Sequence, residues 1–262
     1  IRAHLDSPMT KPSDSDPPSA FRKTAAAPQH RFSMSAMGMT DLVAAIQGVP
    51  VSPDDEKLTL VEVTDVRGQH HAMMRLNHPV RVQLEGDLGD YAFARNCEAD
   101  VRLTGSVGHG VGEGMSSGTV RVRGSAGLGA GATMSGGTLA IYGSAGDRCG
   151  AGIRGGGIFV RGDVGNHTGV GALGGMLVIG GDAGENLGDA SSNVTIFVRG
   201  SVKSLARGVT EAPLRKREQL RLGLLLINAS IRGDAKEFRR IVPEAMLQAE
   251  KSRRGEINPN WR

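Results

Sequence analysis

Residues 105–108 read Gly-Ser-Val-Gly, 124–127 and 143–146 read Gly-Ser-Ala-Gly, 162–165 read Gly-Asp-Val-Gly and 181–184 read Gly-Asp-Ala-Gly. Gly86-Asp-Leu-Gly89 extends the series at the front and Gly200-Ser-Val-Lys203 at the back, so seven signals start at a constant interval of 19 residues. A period held in phase over such a series marks stacked, near-identical units. Two aliphatic columns precede the signals. Val82, Val101, Val120, Leu139, Ile158, Leu177 and Ile196 form one; Leu84, Leu103, Val122, Ile141, Val160, Ile179 and Val198, two residues on, form the other. Alternation of period two predicts a short strand with one buried face in every unit. No helical stretch interrupts the period, so these strands can bury that face only by stacking coil on coil. The expected fold is all-β, a right-handed parallel β-helix of about seven coils. With strands about 4.8 Å apart it would be a prism on the order of 30 Å long.

The remaining register positions fill in the walls. Leu88, Val107, Ala126, Ala145, Val164, Ala183 and Val202 form one small inward column, and Ala92, Val111, Ala130, Cys149, Thr168 and Leu187 another. Gly112, Gly131, Gly150, Gly169 and Gly188 mark a corner that needs positive φ or a close backbone approach. With 39 glycines and only 3% aromatic residues, the chain has little material for an aromatic core and much for such corners. The expected organisation is an extended arm over 1–33, capping segments over 34–80, the β-helix over 81–207 and a helical tail over 208–262. Met39–Pro50 reads as a helix starting at Thr40 or Asp41 and stopping at Gly48, with strands expected around Leu58–Val63 and Gln69–Met74. Leu220, Leu224, Ile227 and Ile231 recur at helical spacing, and Asp234-Ala-Lys-Glu237 is a capping-box pattern ahead of Phe238.

One outer wall changes character along its length. Between the two strand columns the early coils carry Gln83, Arg102 and Arg121, while the later ones carry Ala140, Phe159, Val178 and Phe197. Phe159, Val178 and Phe197 make an apolar stripe that requires a cover, supplied by the tail helix with Leu220, Leu224 and Ile227, by a synthase or glutaminase partner, or by self-association. With Arg102 and Arg121 they are the interface candidates. Arg121, on the outward register, is expected to tolerate replacement by Asp.

Side chains able to do chemistry fall into the repeat rather than into a site. Gly108-His-Gly-Val-Gly-Glu-Gly114 and Gly127-Leu-Gly-Ala-Gly-Ala132 sit in phase with the corners and do not lead from a strand into a long helix, as a dinucleotide site requires. Asp87, Asp163 and Asp182 share their position with serines and lack the nonapeptide period of a calcium-binding roll. Cys97 and Cys149 are three coils apart, about 14 Å along the axis, too far for a disulfide. His109 and His167 are equally separated, so one metal cannot take both, and His70 and His71 are expected on opposite faces of a strand. No catalytic, cofactor-binding or metal-binding residue is assigned.

Charge is balanced, with 31 Lys and Arg against 27 Asp and Glu and a formal net charge of +4. No basic block suggests nucleic acid. No run reaches the roughly 18 apolar residues of a membrane span, and Ile1-Arg-Ala-His-Leu-Asp6 lacks the order of a secretory signal. A cytoplasmic chain contacting neither nucleic acid nor membrane is expected.

The Gly-Ser-Ala-Gly, Gly-Ala-Gly and Met-Ser-Gly-Gly strings at 143–146, 129–131 and 134–137 resemble the Gly-x-Gly-x-Gly domain that ends the large subunit of glutamate synthase, over about 80–205. The flanks Arg67-Gly-Gln-His70 and Asp234–Arg240 look like the stand-alone form of that domain, a separate chain of N-methylglutamate synthase. The resemblance implies a non-catalytic scaffold in a methylamine-glutamate N-methyltransferase. Its partners would be a glutaminase-like, class II amidotransferase subunit and a glutamate synthase-like subunit carrying FMN and an iron–sulfur cluster, with no cofactor on this chain. The same domain occurs in one chain of formylmethanofuran dehydrogenase and of the related formyltransferase/hydrolase complex, which is the alternative. An independent carbohydrate-active β-helix enzyme is disfavoured, because it would want a carboxylate pair and aromatic platforms on one wall and the single Trp lies at 261.

Overall fold

The computed structural model describes residues 27–52, 58–191, 193–229, 231 and 233–255. The elements run β1 (His30–Ser33), α1 (Met39–Gln47), β2 (Thr59–Thr64), β3 (Val80–Glu85), β4 (Asp100–Thr104), β5 (Thr119–Val122), β6 (Thr138–Ile141), β7 (Gly157–Val160), β8 (Met176–Ile179), β9 (Thr195–Val198), β10 (Val209–Ala212), α2 (Lys216–Asn228), β11 (Arg239–Pro243) and α3 (Glu244–Gly255). The eleven strands among the described residues form one sheet, ordered β1 through β9, then β11, then β10. From β1 to β9 every pairing is parallel. The molecule is a parallel β-solenoid.

From β3 onward the register keeps the 19-residue step, Val82 opposite Val101 and Leu177 opposite Ile196. Both aliphatic columns point inward and are buried. The Leu88-to-Val202 column bridges coil to coil along a second wall, and the Ala92 column lies fully inside. Two glycine positions show why the repeat needs this residue. At Gly105 a Cβ would overlap the carbonyl of Gly86 in the coil before. At Gly112 φ is +63°, a left-handed conformation that L-residues seldom adopt.

The front differs from the sequence expectation in two respects. Two further coils precede the series: His30 pairs with Val61, and Val61 with Val82. The end of the expected arm is therefore a strand, and residues 1–26 lie outside the described ones. The strand expected around Gln69–Met74 is instead a corner, with φ of +54° at His71, +48° at Met73 and +62° at Arg75. A corner that alternates left-handed residues sends side chains to opposite sides with period two, which imitates a strand in sequence. Helix α1 stops at Gly48 as expected, but its N-cap is Gly38. Leu42 and Ile46 of α1 are buried in the solenoid core and close its front end.

The back is closed by an antiparallel device that sequence patterning missed. β11 runs antiparallel beside β9, with Ile241 opposite Ile196, and β10 pairs with its outer side. The edge of β9, which would otherwise present unpaired backbone groups, is thereby covered. Asp234–Glu237 makes one 3-10 turn over Ala235–Glu237, in which the Asp234 side chain accepts from the Lys236 N–H at 2.9 Å; β11 follows instead of a helix. Arg240 of β11 is 1% exposed. It binds both carboxylate oxygens of Glu250 on α3, at 2.6 and 3.1 Å, and Glu218 on α2 at 3.0 Å. Arg215 also pairs with Glu250, so four charged side chains hold α2, β11 and α3 together.

Candidate interaction surfaces

The polar side chains of the corners are occupied by the backbone of the next coil. Asp87 accepts the Ser106 N–H at 2.7 Å, Ser106 that of Ser125 at 3.2 Å, and Ser125 that of Ser144 at 3.1 Å. Ser144, Asp163 and Asp182 continue to Ser201. This explains why Asp and Ser interchange at this position: each offers one oxygen at the same reach. A second ladder runs from Asp90 through the His109 N–H to the Leu128 N–H, and from Asp147 through Asn166 to Glu185. The His109 N–H holds the Asp90 carboxyl below its usual range. Cys149 is buried among aliphatics, which pushes its thiol up to about 12 and keeps it protonated. Cys97 and Cys149 are both free. His70 and His71 lie at the corner, not on a strand; His70 accepts the Asp90 N–H at 3.1 Å, and His71 stacks on Tyr91 at 5.5 Å. No group of three metal-ligating side chains occurs among the described residues, and no helix there is long and apolar enough to cross a membrane.

The wall between the strand columns carries two different surfaces. On the early coils, Arg102 and Arg121 meet Arg81 around one buried carboxylate: Asp100 lies 2.7 Å from Arg81, 3.3 Å from Arg102 and 2.6 Å from Arg121. Burial lowers the Arg102 pKa, with Asp100 opposing the shift. Arg121 is thus not a free outward side chain, and the expectation that Asp would be tolerated there fails: a carboxylate at 121 would face Asp100. Three guanidiniums against one carboxylate leave a cationic patch.

On the later coils, Phe159, Val178 and Phe197 are buried with Ala140 and Tyr142 under Leu222 and Leu226 of α2 and under Phe238. The chain covers its own stripe. The covering face is not the one expected from spacing, because Leu220, Leu224 and Ile227 point away and are 71%, 58% and 74% exposed. Helix α2 is apolar on two faces, and a count of helical spacing alone cannot tell which one packs. The outer row lines a shallow trough of about 540 Å³ with Lys216, Asp234 and Lys236. A groove of about 580 Å³ runs along the inner edge of α2, between Arg221, Leu222 and Leu225 and the glycine corner at Gly155–Gly157. A third groove, of about 530 Å³, lies on the corner wall between Arg75, Arg95 and Arg154.

These surfaces define the class: a solenoid whose polar groups serve its own backbone and whose outer walls carry cationic and apolar patches. Comparison with protein-family models, curated proteins and solved structures finds no match.

Proposed function

We propose that this chain is the structural subunit of a glutamate-synthase-like complex of the N-methylglutamate synthase type. In this reading it holds a glutaminase-like subunit and an FMN-containing synthase-like subunit at a fixed separation and helps enclose the path of the transferred amine. FMN and any iron–sulfur cluster belong to the partner.

The observation that carries the reading is the ladder. Asp87, Ser106, Asp163 and their counterparts, the groups best suited to chemistry, each accept a backbone N–H from the neighbouring coil, which makes the corners structural. A solenoid of nine parallel strands about 4.8 Å apart is a strut on the order of 38 Å long. The Arg81–Arg102–Arg121 patch and the exposed row Leu220, Leu224 and Ile227 on α2 give it two faces suited to different partners.

The test is reconstitution with and without this chain. Formation of N-methylglutamate from methylamine and glutamate, with release of ammonia, measured with all three subunits, is expected to fall at least a hundredfold when the chain is omitted, while glutaminase-like turnover and flavin reduction by the separate partners persist. Undiminished transfer without the chain would overturn the proposal.

A further inference from the structure

In the middle coils the corner follows one conformational rule: three alternate residues are left-handed, all glycines at Gly110, Gly112 and Gly114 with φ of +66°, +63° and +66°, and two glycines with Thr133, Arg148 or His167 in the three coils after them. The two coils before them keep the conformation and discard the glycines. His71, Met73 and Arg75 occupy the three left-handed positions in one, and Tyr91, Phe93 and Arg95 in the next, all with φ between +48° and +62°. L-residues are disfavoured there, and an observed backbone outlier is a sound starting point for a hypothesis of function. Met73 and Phe93 are buried and fill the core. Arg75 and Arg95 are exposed, and core packing does not account for them.

Both arginines line the 530 Å³ groove, with Tyr91 on its rim and Arg154 at its far end. Gly114 also lines it, and a Cβ there would stand 3.4 Å from Cγ of Arg95 and 3.9 Å from Oγ1 of Thr133. Among the described residues, none of the three guanidiniums has a side-chain hydrogen bond or ion pair, unlike those gathered on Asp100. Glu113 is the one carboxylate in the lining.

We infer that this groove binds an extended acidic segment of a partner polypeptide. Arg75 and Arg95 stand on adjacent coils, and Arg154 lies three coils beyond Arg95, so the cations span about 19 Å at 4.8 Å per coil. A single phosphate or carboxylate cannot meet charges so spread, whereas an extended chain of about six residues at 3.3 Å each can. Exposed, unpaired guanidiniums also retain donors for bidentate carboxylate contacts. The groove keeps this character whichever subunits the chain assembles with.

The experiment is fluorescence anisotropy of labelled hexaglutamate titrated with the full chain at low salt. Arg75→Gly/Arg95→Gly is expected to weaken binding at least tenfold while the unfolding midpoint stays at or above the parent's, because glycine suits the backbone at both positions. Arg75→Gln/Arg95→Gln should show the same loss if the glycine form fails to fold. Arg217→Ala/Arg221→Ala on α2 removes the same charge elsewhere and should change affinity less than twofold, and Glu113→Gln should tighten binding. Equal weakening by both arginine pairs would reduce the effect to diffuse attraction and overturn the proposal. So would unchanged binding in the groove variants, or displacement by inorganic phosphate at the same concentration as by unlabelled hexaglutamate.

Discussion

A buried column and a capped corner make opposite demands on a side chain, and substitution separates them. Ile158 is fully enclosed between Leu139 and Leu177. Ile158→Asp is expected to cost several kcal/mol, because a carboxylate there has no partner and no water. Arg123→Asp, on an exposed position, should stay within about 0.5 kcal/mol, and Arg121→Asp should fall between them. Urea unfolding of the three variants gives the ranking, and equal midpoints for Ile158→Asp and Arg123→Asp would refute the face assignment. In the ladder, Asp163→Ser should be close to neutral, since serine accepts the same N–H three coils in a row. Asp163→Leu removes the acceptor for Asp182 and should cost about 1 kcal/mol. The period revealed that Asp and Ser share this position; it could not reveal the shared acceptor, because the bond joins residues whose spacing becomes neighbourhood only after stacking.

At the scale of elements, the strands were legible because each repeats one two-residue alternation in fixed phase. The antiparallel closure was not. Arg239–Pro243 is too short to show a pattern and carries an arginine on its buried side, which sequence reading places outside. Arg240 is admitted there only because Glu218 and Glu250 neutralise it. Its hydrogen bonds are the main cause holding Glu250 below its ordinary value near 4.5. A carboxylate with a depressed folded-state pKa stabilises the fold above its unfolded pKa and loses that contribution as pH falls through the folded one. Amide protection in α2 and α3, relative to the intrinsic exchange rate at each pH, should therefore fall below about pH 4.5 before it does in β4–β8, and Glu250→Gln should remove that difference. Simultaneous exchange of all elements would contradict the clasp. The two faces of α2 are distinguished similarly. Leu222→Ser/Leu226→Ser should lower the unfolding temperature by several degrees, while Leu220→Ser/Leu224→Ser should leave it nearly unchanged and weaken partner binding.

For the whole molecule, length and rigidity are the properties that stacking supplies. Each coil contacts mainly its neighbours, so distance along the axis is set by coil number, and the charged and apolar surfaces left exposed lie on the outside of the solenoid rather than in its core. The architecture could be derived from one strict period, whereas partner identity could not, because solenoids of one geometry serve unrelated assemblies. The interface candidates illustrate the difference. Arg102 and Arg121 remain on an outer patch, but Phe159, Val178 and Phe197 are covered by the chain's own α2, since nothing in a stripe of apolar residues records whose surface will lie on it. The most direct measurement of the proposed scaffold role is native mass analysis of what forms when this chain is co-expressed with a glutaminase-like and an FMN-containing synthase-like subunit. The expected result is one assembly holding all three, with flavin leaving together with the synthase-like subunit on dissociation. Recovery of the two partners as a complex that excludes this chain, or of this chain alone with stoichiometric flavin, would contradict it.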